Sequence, residues 1–566
     1  MDAITIQILR NKIASLVDEM HYHFYRSGYS TIIRESRDFS CVILDRTGRL
    51  IVAPPMFFHA PVYRYLIGRI LELYGDEIRE GDVFVSNHPY EGGLPHVSDM
   101  AFVAPVFANG EIVGFSGSIA HKADVGGTNP GSTSANATEM YHEGVLVPPI
   151  RICEAGRHLP DVERLILANS RQPLLVRGDM TAQIAVTQMG AQRVQELCAR
   201  FGATTMCDAF AAILRGAAEE LRGAIARLPE GVSSAEGLID NDGVEVDRPV
   251  KLAVTITIKN GIATFDFRNS DRQARGPINL RPSMVEACVF YSLIGSLGPR
   301  LHFNDGMRDC VELLFAPNTV TNASAPAPVS NYQQVNLKLV DVILEAMAKF
   351  NPARANAHGG SSSALLISWA KGRPGQSNMQ YEIVGSAYGG GQGHDGAGCT
   401  AAHLSNLHVT PIEILESEYP CRINRFDLVP DSGGAGTWRG GVCFQREYEL
   451  LEDAMVIRRF DKAIYPPGGL DGGENGRGGR FVVRLGTPDE RETRASRIRH
   501  EIEAVDTAGI FAFQNLDGRD MQIAEMGRRA ARPIMPLPAA IGGAHDFILH
   551  VGLARPALGP GDQQRA

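Results

Sequence analysis

The sequence predicts a mixed α and β protein, with an N-terminal α/β lobe followed by β-rich lobes with helical insertions. Three observations predict it. Apolar residues recur at helical spacing in two stretches, 1–30 and 173–228, while most of the remainder falls into short, strand-length runs. Turn signals separate those runs. Glycine is in excess, 60 of 566 residues against a usual share of about 7%, and it gathers in discrete loops, which is where function is sought.

Along the chain, Ile6, Leu9, Ile13, Leu16, Val17 and Met20 share one helical face. From Asp38 to Ala53 the pattern turns to short strands, with Asp45-Arg46-Thr47-Gly48 as a hairpin turn. Residues 83–86, 101–107 and 112–120 read as further strands, and 173–228 reads as helix. The string Pro229-Glu230-Gly231-Val232-Ser233-Ser234 marks a boundary. Strands at 250–258 and 263–268 pair through Lys259-Asn260-Gly261. Helices follow at 283–296 and 334–350, then a loop between lobes at 371–378. A glycine-dense, strand-rich region runs to about 487, and the tail beyond is rich in Arg and Ala without clear strand alternation. At about 150 residues per domain the length allows roughly four units, placed at 1–230, 231–372, 373–487 and 488–566.

Composition excludes several classes. An apolar share of 44% and a charged share of 21% are ordinary, so large cores form without disulfides or metal. A net charge of −9 argues against a nucleic-acid partner. No apolar run approaches the roughly 20 residues of a membrane helix. The start, Met1-Asp2-Ala3-Ile4-Thr5, lacks the basic and apolar regions of a signal peptide, so a cytoplasmic location is expected. The nine cysteines are scattered with no Cys-x-x-Cys pair, as expected of reduced core thiols.

The densest chemistry lies between Asn87 and Pro149. His-x-x-Asp occurs twice there, at His96/Asp99 and His121/Asp124. Between the two copies lie two strands joined by Asn109-Gly110, and a hairpin of that length returns His121 to the neighbourhood of His96 and Asp99. Two imidazoles and a carboxylate with open positions suit zinc, manganese or iron in a catalytic site. The competing reading is a pair of loop histidines bonded to nearby backbone. Asp38, opening a strand in the same lobe, is a candidate fourth ligand, or else a partner of Arg37 or Arg34.

Two glycine clusters are less informative. Gly391, Gly393 and Gly396 read literally as G-x-G-x-x-G, but Ala397-Gly398-Cys399-Thr400 is a poor helix start, so a tight loop is expected rather than a nucleotide site. No P-loop string occurs. The cluster from Asp431 to Gly441, with 466–473 after it, holds no catalytic pairing.

Taken in order, these strings resemble the hydantoinase B/oxoprolinase family, which includes B subunits of N-methylhydantoinase and related subunits of acetone and acetophenone carboxylases. The strings are Arg37-Asp38-Phe39-Ser40, Asn87-His88-Pro89-Tyr90-Glu91-Gly92-Gly93, His121-Lys122-Ala123-Asp124-Val125-Gly126-Gly127, Glu143-Gly144 with Pro148-Pro149, Asp431-Ser432-Gly433-Gly434-Ala435-Gly436 with Arg439-Gly440-Gly441, and Pro467-Gly468-Gly469. The resemblance implies metal ligands at His96, Asp99 and His121, with Asp38 a further one, and Asp124 fixing the His121 tautomer. It also implies a partner, a hydantoinase A-type ATPase subunit of actin-like fold that uses the ATP, and hence a hetero-oligomer. His88 stands where the family more often has aspartate, and the residues from about 488 depart from the family pattern.

Two enzymatic functions follow from the resemblance. One is the subunit of an ATP-dependent cyclic amidohydrolase acting on a hydantoin, 5-oxoproline or similar lactam phosphorylated by the partner. A metal ion here would acidify a water for attack, with Asp124 or Glu143 taking the proton. The other is the subunit of a biotin-independent, ATP-dependent ketone carboxylase, whose chains tend to be longer than this one. A third reading, a scaffold with a structural metal, ranks last because structural zinc sites are usually closed and rich in thiolate.

Overall fold

Alternating apolar side chains build the first sheet of the computed structural model. The structure describes residues 2–485 except 55, 299, 370–377, 386, 401 and 460, together with segments 502–503, 508–512 and 546–551. Strands β1 (Phe39–Asp45), β2 (Val83–Ser86), β3 (Asp99–Ala108), β4 (Glu111–His121), β5 (Ile150–Glu154) and β6 (Arg157–His158) lie in the order β1-β4-β3-β2-β5-β6, all antiparallel. Around them stand helices α1 (Ala3–Ser27), α2 (Thr31–Arg34), α3 (Val62–Tyr74), α4 (Pro160–Ala168), α5 (Pro173–Phe201) and α6 (Ala203–Ile225).

Successive strand side chains point to opposite faces. Cys41 and Ile43 of β1 therefore join the α1 and α5 core with Leu9, Ile13, Met180 and Val194. Val42 and Leu44 join the other core with Val62, Leu66 and Ile70 of α3. Because both faces are covered, polar residues at this sheet's edge are buried as well. The helical stretch from 173 breaks in two at Gly202, whose φ of 91° ends α5, and the helices on either side are bent by 110°. Among the described residues no single helix is long and apolar enough to cross a membrane. The turn at Asp45 forms as expected, with its carboxylate accepting from the Thr47 and Arg49 amides, but beyond it only Leu50 bridges back to Leu44.

The second sheet holds β7 (Gly231–Ile239), β8 (Val250–Lys259), β9 (Ile262–Asp266) and β10 (Val311–Leu314) in the order β10-β9-β8-β7. Its hairpin turns at Asn260 and Gly261, both at positive φ (52° and 72°), the conformation that matches strand twist. Within the expected boundary at 229–234, Gly231 opens β7, which pairs along its length with β8. Helix α8 (Tyr332–Ala348) covers this sheet, α7 (Pro282–Leu297) packs against α8, and Leu293 and Val340 share one core with Val42 and Phe115. The apolar core thus runs straight across residue 230.

Later strands β11 (Ser363–Trp369), β12 (Met379–Val384), β13 (Cys421–Leu428), β14 (Phe444–Leu450), β15 (Ala454–Arg459), β16 (Arg480–Leu485), β17 (Ile502–Glu503), β18 (Ala508–Ala512) and β19 (Asp546–Val551) make two sheets, β12-β11-β15-β18 and β13-β14-β19-β16-β17. Of the expected loop at 371–378, residues 371–377 lie outside the described residues. The strands flanking it, β11 and β12, pair antiparallel in one sheet. The tail, in which no clear strand alternation is read, supplies β17 to β19. The run Phe547-Ile548-Leu549 in β19 is continuous rather than alternating because this strand has parallel neighbours on both sides, β14 and β16. No helix follows the glycines at 389–396 until Ile412–Glu418. A Cβ at Gly396 would collide with the Tyr388 carbonyl, and one at Gly433 with that of Gly440, so these clusters serve close loop packing.

Candidate metal centre

Three strand ends meet at one edge of the first sheet. Asp99 opens β3 and is the register partner of His121, which closes β4. The His121 amide donates to the carbonyl of Asp38, the residue just before β1, and the Asp99 amide donates to the carbonyl of His96. Sheet hydrogen bonding alone therefore gathers Asp38, His96, Asp99 and His121. A fifth residue, His59, arrives from the short 3-10 turn Phe57–His59 ahead of α3. All five are buried.

Ligand atoms of Asp38, His59 and Asp99 lie within 4.8 Å of one another. Asp99 Oδ2 stands 3.2 Å from His96 Nε2 and 3.6 Å from His59 Nε2. The His96 and His121 ring centroids are 5.1 Å apart. On the far side, Tyr381 stacks on His121 at 4.5 Å and Tyr332 leans on His96 at 5.1 Å. These residues and Arg459 enclose a cavity of about 10 Å³, room for a single water-sized occupant.

The electrostatics ask for a cation. Burial and the charge of Asp99 hold the Asp38 carboxyl well above the usual carboxylate range. Burial also pushes Asp99 upward, but the imidazoles of His96 and His59 outweigh it and hold that carboxyl well below its ordinary value. Burial and His96 keep His121 neutral, far below the usual imidazole value. Among the described residues, Asp38 Oδ1, His59 Nε2, His96 Nδ1, both Asp99 oxygens and both His121 nitrogens have no hydrogen-bond partner. Buried polar atoms are normally satisfied, so this many converging orphans mark a missing partner. A divalent ion would let both carboxylates ionise and take up the orphaned lone pairs. The residues present fit a metal with mixed nitrogen and oxygen ligands.

Sequence reasoning placed Asp38, His96, Asp99 and His121, and the structure brings all four together. It missed His59, which sits in no local motif. The signal is indirect: Ser40 follows Asp38 in β1, and its hydroxyl lies 3.1 Å from His59 Nδ1, leaving Nε2 for the site. Ser40 is in turn 2.8 Å from the Tyr63 hydroxyl.

Asp124, the second half of the other His-x-x-Asp, makes no hydrogen bond to the His121 ring among the described residues. Its carboxylate accepts from the amides of Gly126, Gly131 and Arg171 and from the Arg171 guanidinium, and so clamps the 124–131 loop. Glu143 is different. One oxygen accepts from the amides of Val329 and Ser330, both at 2.7 Å, while the other has no partner among the described residues. Burial pushes its pKa up to about 8. His88 does what an aspartate would do in its turn, Nδ1 accepting from the Tyr90 and Glu91 amides.

A family model, hydantoinase B/oxoprolinase, matches residues 2–515. The chain belongs to the hydantoinase B/oxoprolinase family. That match runs past 488, so the family pattern reaches further into the tail than the motif strings do. The B subunit of a putative D-/L-hydantoinase from Pseudomonas sp. (strain NS671) is 31% identical over 507 residues, covering 86% of this chain and 84% of that one. The crystal structure of an ATP-dependent caprolactamase from Pseudomonas jessenii superimposes with a TM-score of 0.74 at 26% identity, covering 81% of this chain and 80% of that one. A nucleotide-free acetone carboxylase shares the fold, with a TM-score of 0.73 at 17% identity, covering 85% of this chain and 66% of the other. Relatives of the chain include proteins named as a hydantoinase subunit, a 5-oxoprolinase and a caprolactamase, the last described as ATP-dependent. In this member a buried Asp-His-Asp cluster could hold the metal.

Proposed function

We propose that this chain is the metal-dependent B-type subunit of an ATP-dependent cyclic amidohydrolase. It would open a hydantoin, 5-oxoproline or related lactam after a partner A-type ATPase subunit has phosphorylated the ring carbonyl. The observation that carries this reading is the set of orphaned ligand atoms on Asp38, His59, His96, Asp99 and His121, of which Asp38, His96 and His121 line a water-sized space. Relatives described as the B subunit of a hydantoinase and the beta subunit of a caprolactamase support the partner. Likeness to acetone carboxylase extends to fold alone, which favours hydrolysis over carboxylation.

A zinc or manganese ion, or iron, held by these five residues would supply Lewis acidity and make a water more acidic. The chain's own residues do the rest. Ser40 keeps His59 in the tautomer whose Nε2 faces the site. Phe58, Ile383 and Leu407 line the cavity with hydrocarbon and limit bulk water. Glu143, anchored through one oxygen, holds or releases a proton at the other, and its raised pKa suits exchange near neutral pH.

The test is reconstitution with the A-type subunit and ATP, offered hydantoin or 5-oxoproline in one arm and a ketone with bicarbonate in the other. ATP-dependent ring opening that disappears on chelation is expected. Turnover of the ketone alone, or full hydrolysis after the metal is stripped, contradicts the reading.

A further inference from the structure

Two buried cations of this protein meet a carboxylate closely: Arg446 meets Glu382 at 3.0 Å and Lys462 meets Asp341 at 2.6 Å. Lys122 is held instead by the Ala120 carbonyl and Gln183. Arg459, only 2% exposed at the end of β15, has neutral partners as well, and it faces a cavity. Its Nη1 donates to the Ser330 carbonyl at 2.6 Å and to Asn331 Oδ1 at 3.3 Å, and its Nη2 donates to the Tyr381 hydroxyl. Every one of these acceptors is neutral. Nε has no partner, and among the described residues no carboxylate lies within ion-pair distance. Leaving a buried guanidinium without a counter-ion is costly, and this one lines the cavity beside His96, His121 and Asp38.

A charge count around the cavity shows what is missing. Asp38 and Asp99 together balance one divalent ion. Lys122, buried behind them, has Asp179 as its largest favourable charge. Glu143 also feels the Arg459 charge, but burial pushes its pKa up to about 8, so Arg459 is left as one positive charge facing the space. Arginine's planar fork suits phosphoryl and carboxylate oxygens, and Tyr381 braces it in place.

We propose that Arg459 is an anion-binding residue, giving its charge to one anionic oxygen, phosphoryl or carboxylate, of the ligand taken at the metal centre. This rests on the metal reading above. The space beside Arg459 admits a single oxygen of that ligand. Tyr381 and Arg459 lie on β12 and β15 of the third sheet and the ligands on the first, so the anion would tie the two sheets together.

The test titrates inorganic phosphate, and separately acetate, into the zinc-loaded full chain by calorimetry. It compares wild type with Arg459→Met and Arg459→Lys, with metal content and melting temperature recorded for each. Phosphate binding weakened roughly tenfold or more in R459M and largely kept in R459K is expected, since a charge-assisted contact is lost in one and the charge retained in the other. Phosphate binding without acetate binding assigns the phosphoryl group, acetate binding without phosphate binding assigns a carboxylate, and equal binding of both supports a site open to either anion. A folded, metal-loaded R459M that binds phosphate as wild type does overturns the proposal, as does a metal-loaded wild type that binds neither anion. A wild type that takes up no metal, yet loses phosphate binding in R459M, sinks the metal reading and leaves Arg459 standing.

Discussion

His59 turns Nε2 toward Asp99 because Ser40 occupies Nδ1, and that arrangement predicts a graded response to substitution. Replacing His59 or His121 with alanine should drop bound metal from about one per chain to a small fraction. Ser40→Ala should weaken affinity by about tenfold, the lower end of what orienting partners contribute, while the fold persists. Metal content by plasma emission and a competition titration would measure both, and unchanged metal in H59A would remove it from the site. Glu143 makes a prediction in pH. Burial raises its pKa to about 8, so a step that needs its ionised form gains rate as pH rises toward 8 and then levels off. Glu143→Gln, which keeps the acceptor for Val329 and Ser330, should cost roughly a hundredfold in kcat and flatten that limb. An E143Q enzyme with the wild-type profile would show that the proton moves elsewhere.

At the scale of elements, the β3–β4 hairpin carries the site, and its interior contacts reach the ligands. Gly117 of β4 faces the Tyr63 ring, where a Cβ would come within 2.7 Å of the ring edge. Tyr63 is linked through Ser40 to His59. Gly117→Val should therefore cost about 1–3 kcal/mol by overpacking, and should loosen metal binding although residue 117 touches no ligand. Unfolding and metal titration of G117V check this, and a stable variant with normal affinity would break the chain of contacts. The same hairpin explains what was legible in the sequence. Strand length and the Asn109-Gly110 turn fix register, and register sets Asp99 opposite His121. His59 was not legible because a three-residue 3-10 turn has no periodicity, and its partner residues lie 19 to 62 positions away. Tyr381 and Arg459 were hidden for a stronger reason: they reach the site only through docking of the third sheet on the first.

For the whole molecule, the first and second sheets share one core, and polar clasps reinforce the junction. Asp305 is one. Its carboxylate accepts from the Leu50 amide at 2.7 Å, and its own amide returns a bond to the Leu50 carbonyl at 3.1 Å. Burial, aided by the charge of Glu286, pushes its pKa up to about 7. The native state then keeps a proton that the unfolded chain releases near 3.8, so this contribution is complete below about pH 4 and is lost as pH rises through 7. Up to about 4 kcal/mol is at stake, and Asp305→Asn should flatten the decline in melting temperature across that window. An unchanged pH dependence in D305N would place the titration elsewhere. The mixed architecture and the family were legible from strings spread along the chain, but the continuity of the core across residue 230 was not, because hydrophobic periodicity reports faces and not what covers them. The central claim is that five buried residues form one metal centre. Crystals grown with zinc or manganese, measured at the metal's absorption edge, test it most directly. The account predicts one strong anomalous peak within about 2.0–2.3 Å of atoms from Asp38, His59 and Asp99, with His96 and His121 completing or flanking the shell. No peak there, or a peak bound only by surface residues elsewhere, would contradict it.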